Sequence, residues 1–396
     1  MKGKKEIGIK LALAIFSLIV ALYLAELVAF FHDTRFSRTR ENIARQNGIP
    51  FDTRTLLEVI DDLQAKGIAA YPIVPPSFFV ERRGFADHPN ELFPLGGISR
   101  KTTVYCNENG DYAIYESDEH GFNNPAGIWS QQPKAVLLGD SFAQGACVGP
   151  GEDIAGQLRK LGMSALNLGM AGSGPLVELA MLKEYAEFLK PEFVFWIYFE
   201  GNDLRDVIRE KISFFARYFS DGGFSQDLIH RQAEIDHALV EFIQKYKDGT
   251  QAADDEKSRR KGKWSGVMTL QAIRARLSQA TVQSPRPDHS ALLDPMFEMI
   301  LAKARQKTSS WGGKLYFVYL PEYYRYVKQV DHNDFHQRHE VLSVVRKLGI
   351  PIIDGHQVFS IQPDPLSLFP FRVYGHYTAP GYRLVAEAID SKLQIE

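Results

Sequence analysis

The sequence predicts an α/β fold built around a parallel sheet of five strands. From Lys134 onward, short apolar runs alternate with longer stretches in which apolar residues recur at helical spacing. This alternation is typical of βαβ units, in which a helix crosses over between parallel strands. The runs are largely continuous in apolar character, as expected of strands buried on both faces. The predicted strands are Ala135 to Leu138, Ala165 to Asn167, Phe193 to Phe199, Lys314 to Leu320 and Pro351 to Ile353.

Composition narrows the class of protein. The 396 residues suffice for one large domain with additions or for two ordinary domains. Lys and Arg number 46 against 48 Asp and Glu, a net charge of −2, so nothing indicates a nucleic-acid-binding protein. Cys106 and Cys147 are the only cysteines, which fits neither a zinc site nor a disulfide-rich scaffold. They are either bridged or two buried thiols.

An apolar segment near the N-terminus predicts a membrane anchor. It runs from Leu11 to Phe31 with Glu26 as its one charged residue, and about 20 apolar residues cross the hydrocarbon core as a helix. A signal peptide is the alternative, but its apolar core is shorter, roughly 7 to 15 residues, and no small-x-small site follows the run. Basic residues flank both sides, so charge does not set the orientation. We expect residues 1–34 to be a cytoplasmic N-terminus and single-pass anchor, with an exported, extracytoplasmic body.

The remaining regions are additions to the α/β domain, which is predicted to span residues 131–396. Residues 35–130 form a small juxtamembrane or accessory region, in which β-prone runs around a turn-rich linker at 107–111 predict a hairpin. The connection at about residues 205–311 is far longer than the roughly 2 to 6 residues of ordinary αβ loops, so it is predicted to be a helical insertion. Such an insertion could shape a substrate cleft, present an interaction surface or act as a lid.

The first predicted strand ends in Gly139, Asp140 and Ser141. Ligands bind at the carboxyl ends of parallel strands, so a serine delivered there by a tight turn is placed like a nucleophile. The alternative is that Asp140 or Ser141 simply caps the helix that follows. The catalytic interpretation therefore depends on partners elsewhere in the chain.

Other segments supply such partners. Gly172 and Asn202 follow the second and third strands, and His376 lies ahead of a C-terminal helix. In acyl transfer, His376 would accept the proton of the Ser141 hydroxyl and return it to the leaving alcohol. The oxyanion of the tetrahedral intermediate would be bound by the backbone N–H groups of Ser141 and Gly172 and by the side-chain amide of Asn202.

These motifs resemble those of the SGNH (GDSL-type) hydrolases, a family named after a serine, a glycine, an asparagine and a histidine in successive motifs. Here they are Ser141 in Gly-Asp-Ser, Gly172, Asn202 in Gly-Asn-Asp, and His376. The four stand in the family's order, three of them at strand ends. The resemblance implies a flavodoxin-like three-layer α/β/α sandwich, and esterase, lipase or carbohydrate O-acetyl chemistry without metal or cofactor.

The sequence departs from the family at one position. The family places an aspartate three residues before its histidine to hold the imidazole, and Val373 stands there. Asp364 is the first candidate for the acid because it lies in the same loop as His376, and Asp354 is another. Alternatively, a backbone carbonyl orients the ring, or the protein is a weak or inactive hydrolase.

Two further groups of residues have the composition of possible sites. Tyr323, Tyr324 and Tyr326 follow a strand and could line a sugar site, although clustered aromatic residues more often serve packing. The three histidines within residues 332–339 are spaced as for a metal, but no pair of carboxylates lies beside them. We therefore predict no metal site.

Together these observations predict a membrane-anchored ester hydrolase or O-acetyl-transferring enzyme acting on acylated envelope glycans or exopolysaccharide. The glycan is inferred from location and family rather than from residues. The alternative is a non-catalytic SGNH-like module that binds glycan or assembles an envelope polysaccharide system, an interpretation that Val373 and the long insertion favour. The two hypotheses differ in whether Ser141 reacts.

Overall fold

The computed structural model describes residues 39–82, 92–260, 293–327, 335 and 337–395. The chain divides into two compact units. One, called the main unit below, consists of Gly48–Ile243 and Asp288–Glu396, and the other consists of Met1–Asn47 and Gln244–Pro287. All residues of the candidate site lie in the main unit.

The described strands form two sheets. In chain order they are β1 (Ala70–Pro72), β2 (Thr102–Val104), β3 (Ile114–Glu116), β4 (Ala135–Gly139), β5 (Ala165–Asn167), β6 (Phe193–Phe199), β7 (Lys314–Leu320) and β8 (Ile352–Asp354). In the small sheet, β1 pairs in parallel with β2, which pairs antiparallel with β3. The large sheet is fully parallel, in the order β5-β4-β6-β7-β8. This is the strand order of flavodoxin-like sheets, and it places all five carboxyl ends at one edge.

Helices connect and cover these strands. Those described are α1 (Thr39–Gln46), α2 (Leu56–Ala65), α3 (Ser77–Arg82), α4 (Ser141–Gln144), α5 (Ile154–Lys160), α6 (Pro175–Met181), α7 (Asp203–Glu210), α8 (Ala216–Ser220), α9 (Gln232–Arg260), α10 (Pro295–Ser310), α11 (Gln337–Lys347), α12 (Gly355–Ser360) and α13 (Ala379–Ile395). Helix α6 continues through a π-helical turn (Leu182–Ala186) into a last turn (Glu187–Leu189). Helices α7, α8 and α9 lie where the sequence predicts the insertion.

Apolar side chains cover both faces of the parallel sheet. Along β6, Trp196 and Tyr198 belong to one buried cluster, whereas Phe195 and Ile197 belong to another, because successive side chains of a strand point to opposite faces. Helices α6, α7, α10 and α11 contribute to the first cluster, and α5, α12 and α13 contribute to the second. The main unit therefore contains a three-layer α/β/α sandwich.

The predicted parallel sheet of five strands is confirmed, with each strand within one residue of its predicted bounds. Strand β1 was not predicted, because Pro72 argues against a strand; it is tolerated here because β1 lies at the edge of its sheet. The anchor predicted from Leu11 to Phe31 lies outside the described residues. Among the helices that the structure describes, none is both long enough and apolar enough to cross a membrane.

Candidate active site

Ser141 is the first residue of α4 and follows β4 after a single intervening residue. That residue, Asp140, caps the helix, because its Oδ1 accepts the backbone N–H of Phe142 at 2.8 Å. The residue before Asp140 has to be glycine, because a Cβ on Gly139 would lie 2.7 Å from the Cβ of Ala143. The capping and nucleophile interpretations are thus compatible, since Asp140 caps the helix while Ser141 lies at the carboxyl edge of the sheet.

His376 lies against this serine. Its Nε2 is 2.9 Å from Ser141 Oγ, and its ring packs on Phe142 with centroids 4.8 Å apart. The loop leading to it bends through left-handed backbone conformations at Phe371 and Arg372, with φ of 53° and 55°. The imidazole is 24% exposed, so a substrate can reach it.

Glu108 is the carboxylate beside the imidazole. Its Oε2 accepts the backbone N–H of His376 at 2.8 Å and lies 3.3 Å from Nδ1 of the ring. The sequence prediction of Asp364 is therefore corrected. Asp364 and Asp354 each form an ion pair with an arginine instead, and Asp364 Oδ2 lies 2.7 Å from Nη2 of Arg372. The carboxylate of Asp364 therefore binds the guanidinium of Arg372 and is not the group beside the imidazole of His376.

Glu108 was not predicted because it lies in the linker of the β2–β3 hairpin, far along the chain from His376. The available signal was the pair of cysteines. Cys106 and Cys147 are disulfide-bonded, which resolves the alternative left open by the sequence. Glu108, two residues after Cys106, is thereby tied to the loop that follows α4, and so to the neighbourhood of Ser141.

Gly172 provides a backbone approach to the same site. It adopts φ of +68°, and a Cβ there would lie 2.6 Å from Ser77 Oγ of helix α3. The preceding residue, Ala171, donates its N–H to Oε1 of Gln144 at 2.9 Å, which ties this loop to α4. Within the part of the chain that the structure describes, the backbone N–H groups of Gly172 and Ser141 have no acceptor. Both are available to an oxyanion.

Replacing Gly172 by alanine is expected to lower ester turnover by about 100-fold, because the new Cβ would collide with Ser77 and displace an N–H of the oxyanion site. The matched control is Gly151→Ala, where φ is +74° but nothing lies within 4 Å of the new Cβ. It carries the same backbone strain without the collision. Steady-state kinetics should separate the two variants, and equal activities would contradict the assignment.

Asn202 is already hydrogen-bonded in this structure. Its Nδ2 donates to Oδ2 of Asp206 at 2.8 Å and to Oδ2 of Asp140 at 3.3 Å. Binding an oxyanion would require it to exchange the longer of these bonds. Burial raises the pKa of Asp140 to about 6, opposed by the N–H of Phe142 and by the neighbouring charge of His376. The predicted donor thus belongs to a network of buried acids.

Glu210 is a second buried acid in this region. Its carboxylate accepts the backbone N–H of Gly174 at 2.7 Å and of Leu176 at 2.8 Å, which holds the start of α6. Burial nevertheless raises the pKa of Glu210 to about 8, against these hydrogen bonds. Burial is likewise the largest cause of raised pKa values in Glu178, Asp203 and Asp206.

The raised pKa of Glu210 predicts that the folded state loses stability as pH rises. The stabilisation is complete below the unfolded-state pKa near 4.5 and is lost as pH increases toward about 8. Glu210→Gln should therefore reduce the fall in unfolding free energy between pH 5 and 8 by an amount on the order of 4 kcal/mol. Denaturant titrations at several pH values measure it. Glu192→Gln, at an exposed position, should leave the pH dependence unchanged.

The tyrosines that the sequence offered as a sugar site make different contacts in the structure, although the rings of Tyr323 and Tyr324 meet edge to face with centroids 5.3 Å apart. The hydroxyl of Tyr323 donates to a backbone carbonyl at 2.9 Å, and the hydroxyl of Tyr326 lies 3.0 Å from Nδ1 of His356. Tyr324 instead stacks on Tyr374, with ring centroids 5.3 Å apart. Two of the three therefore take part in loop packing, and one forms an aromatic pair close in sequence to His376.

Two groups of residues are of the types that bind metals. Among the described residues, Glu108, Cys147 and His376 lie close enough to share an ion, but the sulfur of Cys147 belongs to the disulfide and is not a thiolate ligand. Of the three histidines whose spacing is typical of a metal site, His332 and His336 lie outside the described residues, and His339 is exposed.

Fold and site together define a three-layer α/β/α protein with a serine, an imidazole and a carboxylate aligned at the carboxyl edge of its sheet. Similar solved structures include GDSL-type lipolytic hydrolases. A lipase/acylhydrolase from Enterococcus faecalis is 13% identical over 66% of this chain and 95% of its own, with a TM-score of 0.37. A member of the lipolytic protein G-D-S-L family from Veillonella parvula is 12% identical over 66% and 97%, with a TM-score of 0.36.

A mutant acetyl-xylooligosaccharide esterase from Geobacillus is 14% identical over 67% of this chain and 95% of its own, with a TM-score of 0.37. No protein-family model matches the chain, and no curated protein matches it.

Proposed function

We propose that this protein is an SGNH-type serine ester hydrolase. The observation that carries the proposal is the 2.9 Å distance between Ser141 Oγ and His376 Nε2, with the carboxylate of Glu108 on the other side of the ring. A nucleophile and a base within hydrogen-bond reach, with the base held by a third group, form the arrangement that activates a serine.

The chemistry follows from this order of groups. Nε2 of His376 accepts the proton of Ser141 as Oγ bonds to the ester carbonyl carbon, and the imidazolium then protonates the departing alcohol. Water then bonds to the acyl carbon and loses a proton to the same nitrogen. The imidazolium returns that proton to Ser141 Oγ as the bond between Oγ and the acyl carbon breaks and the acid is released. The N–H groups of Ser141 and Gly172 face the developing oxyanion, and Asn202 becomes a third donor when its Nδ2 gives up the 3.3 Å bond to Asp140.

The proposed substrate is an acylated glycan outside the cytoplasm. Tyr374 is 45% exposed, stacks on Tyr324 and lies two residues before His376, which supports a flat surface for a sugar ring beside the base.

The disulfide supports an oxidising compartment, where such bonds persist. The apolar segment from Leu11 to Phe31 supports membrane anchoring. A sugar hydroxyl in place of water would make the same residues an O-acyltransferase.

A second candidate function is a non-catalytic glycan-binding or assembly module. Asn202 favours it, since both hydrogens of its amide face carboxylates rather than an open oxyanion site. Such a module would bind glycan without reacting with an ester.

The test is exposure of the full-length chain to a fluorophosphonate probe and to p-nitrophenyl acetate. The ester hydrolase should be labelled once per chain, at Ser141, and should release p-nitrophenol with turnover. Acetylated xylan, with a methanol or sugar acceptor in a parallel reaction, distinguishes hydrolysis from transfer. Glycan binding with neither labelling nor release would reject the hydrolase and favour the binding module.

A further inference from the structure

The loop that carries Glu108 is built to hold one position. Its residues are tied to one another, since Gly110 donates its N–H to Oδ1 of Asn107 at 2.9 Å. The loop is also tied to the preceding chain, because Asp52 donates its N–H to the carbonyl of Gly110 at 2.6 Å. A Cβ on Gly110 would lie 2.8 Å from the carbonyl oxygen of Pro50, so the backbone here allows only glycine.

Two links fix this loop to the nucleophile's side of the site. Cys106 is disulfide-bonded to Cys147. In addition, Nδ2 of Asn109 donates to the backbone carbonyl of Cys147 at 2.6 Å. Cys106, two residues before Glu108, and Asn109, directly after it, are therefore both attached to Cys147 in the loop after α4. Glu108 in turn contacts His376 twice, at the backbone N–H and at Nδ1.

We propose that Glu108 is the positioning residue of His376, and that the Cys106–Cys147 disulfide is the clamp that keeps it there. The catalytic consequence rests on the proposed function. In SGNH hydrolases the acid is expected in the histidine's own loop. Here it comes from an accessory hairpin, which the disulfide ties to the loop after α4. The hydrolase is accordingly expected to depend on an oxidised disulfide.

The contact at Nδ1 decides which tautomer the ring adopts. A carboxylate beside Nδ1 favours a proton on that nitrogen, which leaves the lone pair of Nε2 facing Ser141 Oγ. When Nε2 then takes the serine proton, the imidazolium keeps its Nδ1–H against Glu108, and the carboxylate stays ionised. Without Glu108 the ring could hold its proton on Nε2 and would not accept another from serine.

The first experiment compares Glu108→Gln with Asp111→Asn in the full-length chain. Both remove one negative charge from the same linker, and Asp111 is exposed. Glu108→Gln should lower kcat by about 10³- to 10⁴-fold with KM little changed. Glu108→Asp should restore part of that loss, and Asp111→Asn should retain full activity. Unchanged kcat in Glu108→Gln, or equal losses in the two charge-removing variants, would overturn the positioning role.

The second experiment detects whether Nδ1 of His376 carries a proton directed at Glu108, whose Oε2 lies 3.3 Å away. Proton NMR of the wild type should show a downfield Nδ1–H resonance that disappears in His376→Ala and in Glu108→Gln and persists in Asp111→Asn. This readout is independent of turnover. If the protein hydrolyses no ester yet shows this Glu108-dependent resonance, the hydrolase proposal fails and the contact stands. If the enzyme is active without such a resonance, the positioning proposal fails alone.

The third experiment tests the clamp. A dithiol reductant converts Cys106 and Cys147 to two thiols and is itself oxidised to a disulfide. Reduction, verified by alkylation and mass spectrometry, should lower kcat by at least about tenfold, and reoxidation should restore it. In Cys106→Ser/Cys147→Ser, the additional effect of Glu108→Gln should be at least about tenfold smaller than in the oxidised protein.

Circular dichroism separates a local clamp from a general staple. The far-UV spectrum should be unchanged on reduction while the Nδ1–H resonance weakens. Global unfolding on reduction would overturn the clamp, because the bond would then hold the whole fold. Full activity with both thiols alkylated would overturn it too.

Discussion

Ser141→Ala is expected to lower ester turnover by about 10⁴- to 10⁶-fold and to abolish labelling by a fluorophosphonate probe. The hydroxyl is the only group on this side chain that can form the acyl-enzyme, and alanine keeps the helical start of α4. Asp140 would still cap that helix through Phe142, so the fold should be retained. Single-turnover kinetics and intact mass after labelling measure the two losses.

The control for Ser141→Ala is Ser130→Ala, which removes a hydroxyl at an exposed position. It should be labelled and should turn over substrate at the wild-type rate. Undiminished hydrolysis in Ser141→Ala would assign the activity to another residue or to a contaminant. Glycan binding that survives in Ser141→Ala would by itself be consistent with both candidate functions, so the labelling decides.

The parallel sheet could be predicted from the sequence because its strands are buried on both faces. A run such as that of β6, with Trp196 and Tyr198 facing one layer and Phe195 and Ile197 facing the other, is continuously apolar and stands out from its surroundings. The strand ends could be predicted for a related reason. Gly139 marks a turn that excludes a side chain, and the polar residue that follows it caps a helix.

Glu108 could not be predicted from local pattern, because its role depends on a contact between distant parts of the chain. The expected position of the acid carries Val373, which has no group to offer the imidazole. Asp364 is near His376 in sequence, but its carboxylate accepts two hydrogen bonds from the guanidinium of Arg372. Proximity along the chain was therefore a poor guide, whereas a disulfide between Cys106 and Cys147 would have pointed to the correct loop.

The orientation of the Asn202 side-chain amide also could not be predicted from the sequence. Motif position places an amide at the strand end, but the direction of its hydrogens depends on which buried acceptors lie nearby. Here Asp140 and Asp206 provide them. Because these carboxylates have raised pKa values from burial, their protonation state also bears on how strongly they hold the amide.

His376→Ala is expected to cost about as much turnover as Ser141→Ala, again about 10⁴- to 10⁶-fold. The imidazole lies 2.9 Å from Ser141 Oγ through Nε2 and 3.3 Å from Glu108 Oε2 through Nδ1. Its removal therefore takes away the base that the structure places beside the serine. If the two residues act as one unit, Ser141→Ala/His376→Ala should be no slower than either single variant. Independent contributions would instead multiply.

His376→Ala also tests whether the imidazole acts as the base or merely lies beside Ser141. His237→Ala, which removes an exposed imidazole from α9, should keep wild-type kinetics and melting behaviour. In His376→Ala the labelling of Ser141 should slow in parallel with turnover, because the probe needs the same deprotonated oxygen. Wild-type labelling rates in His376→Ala would mean that the 2.9 Å contact does not activate the serine, and the site would then have to be understood as a binding surface.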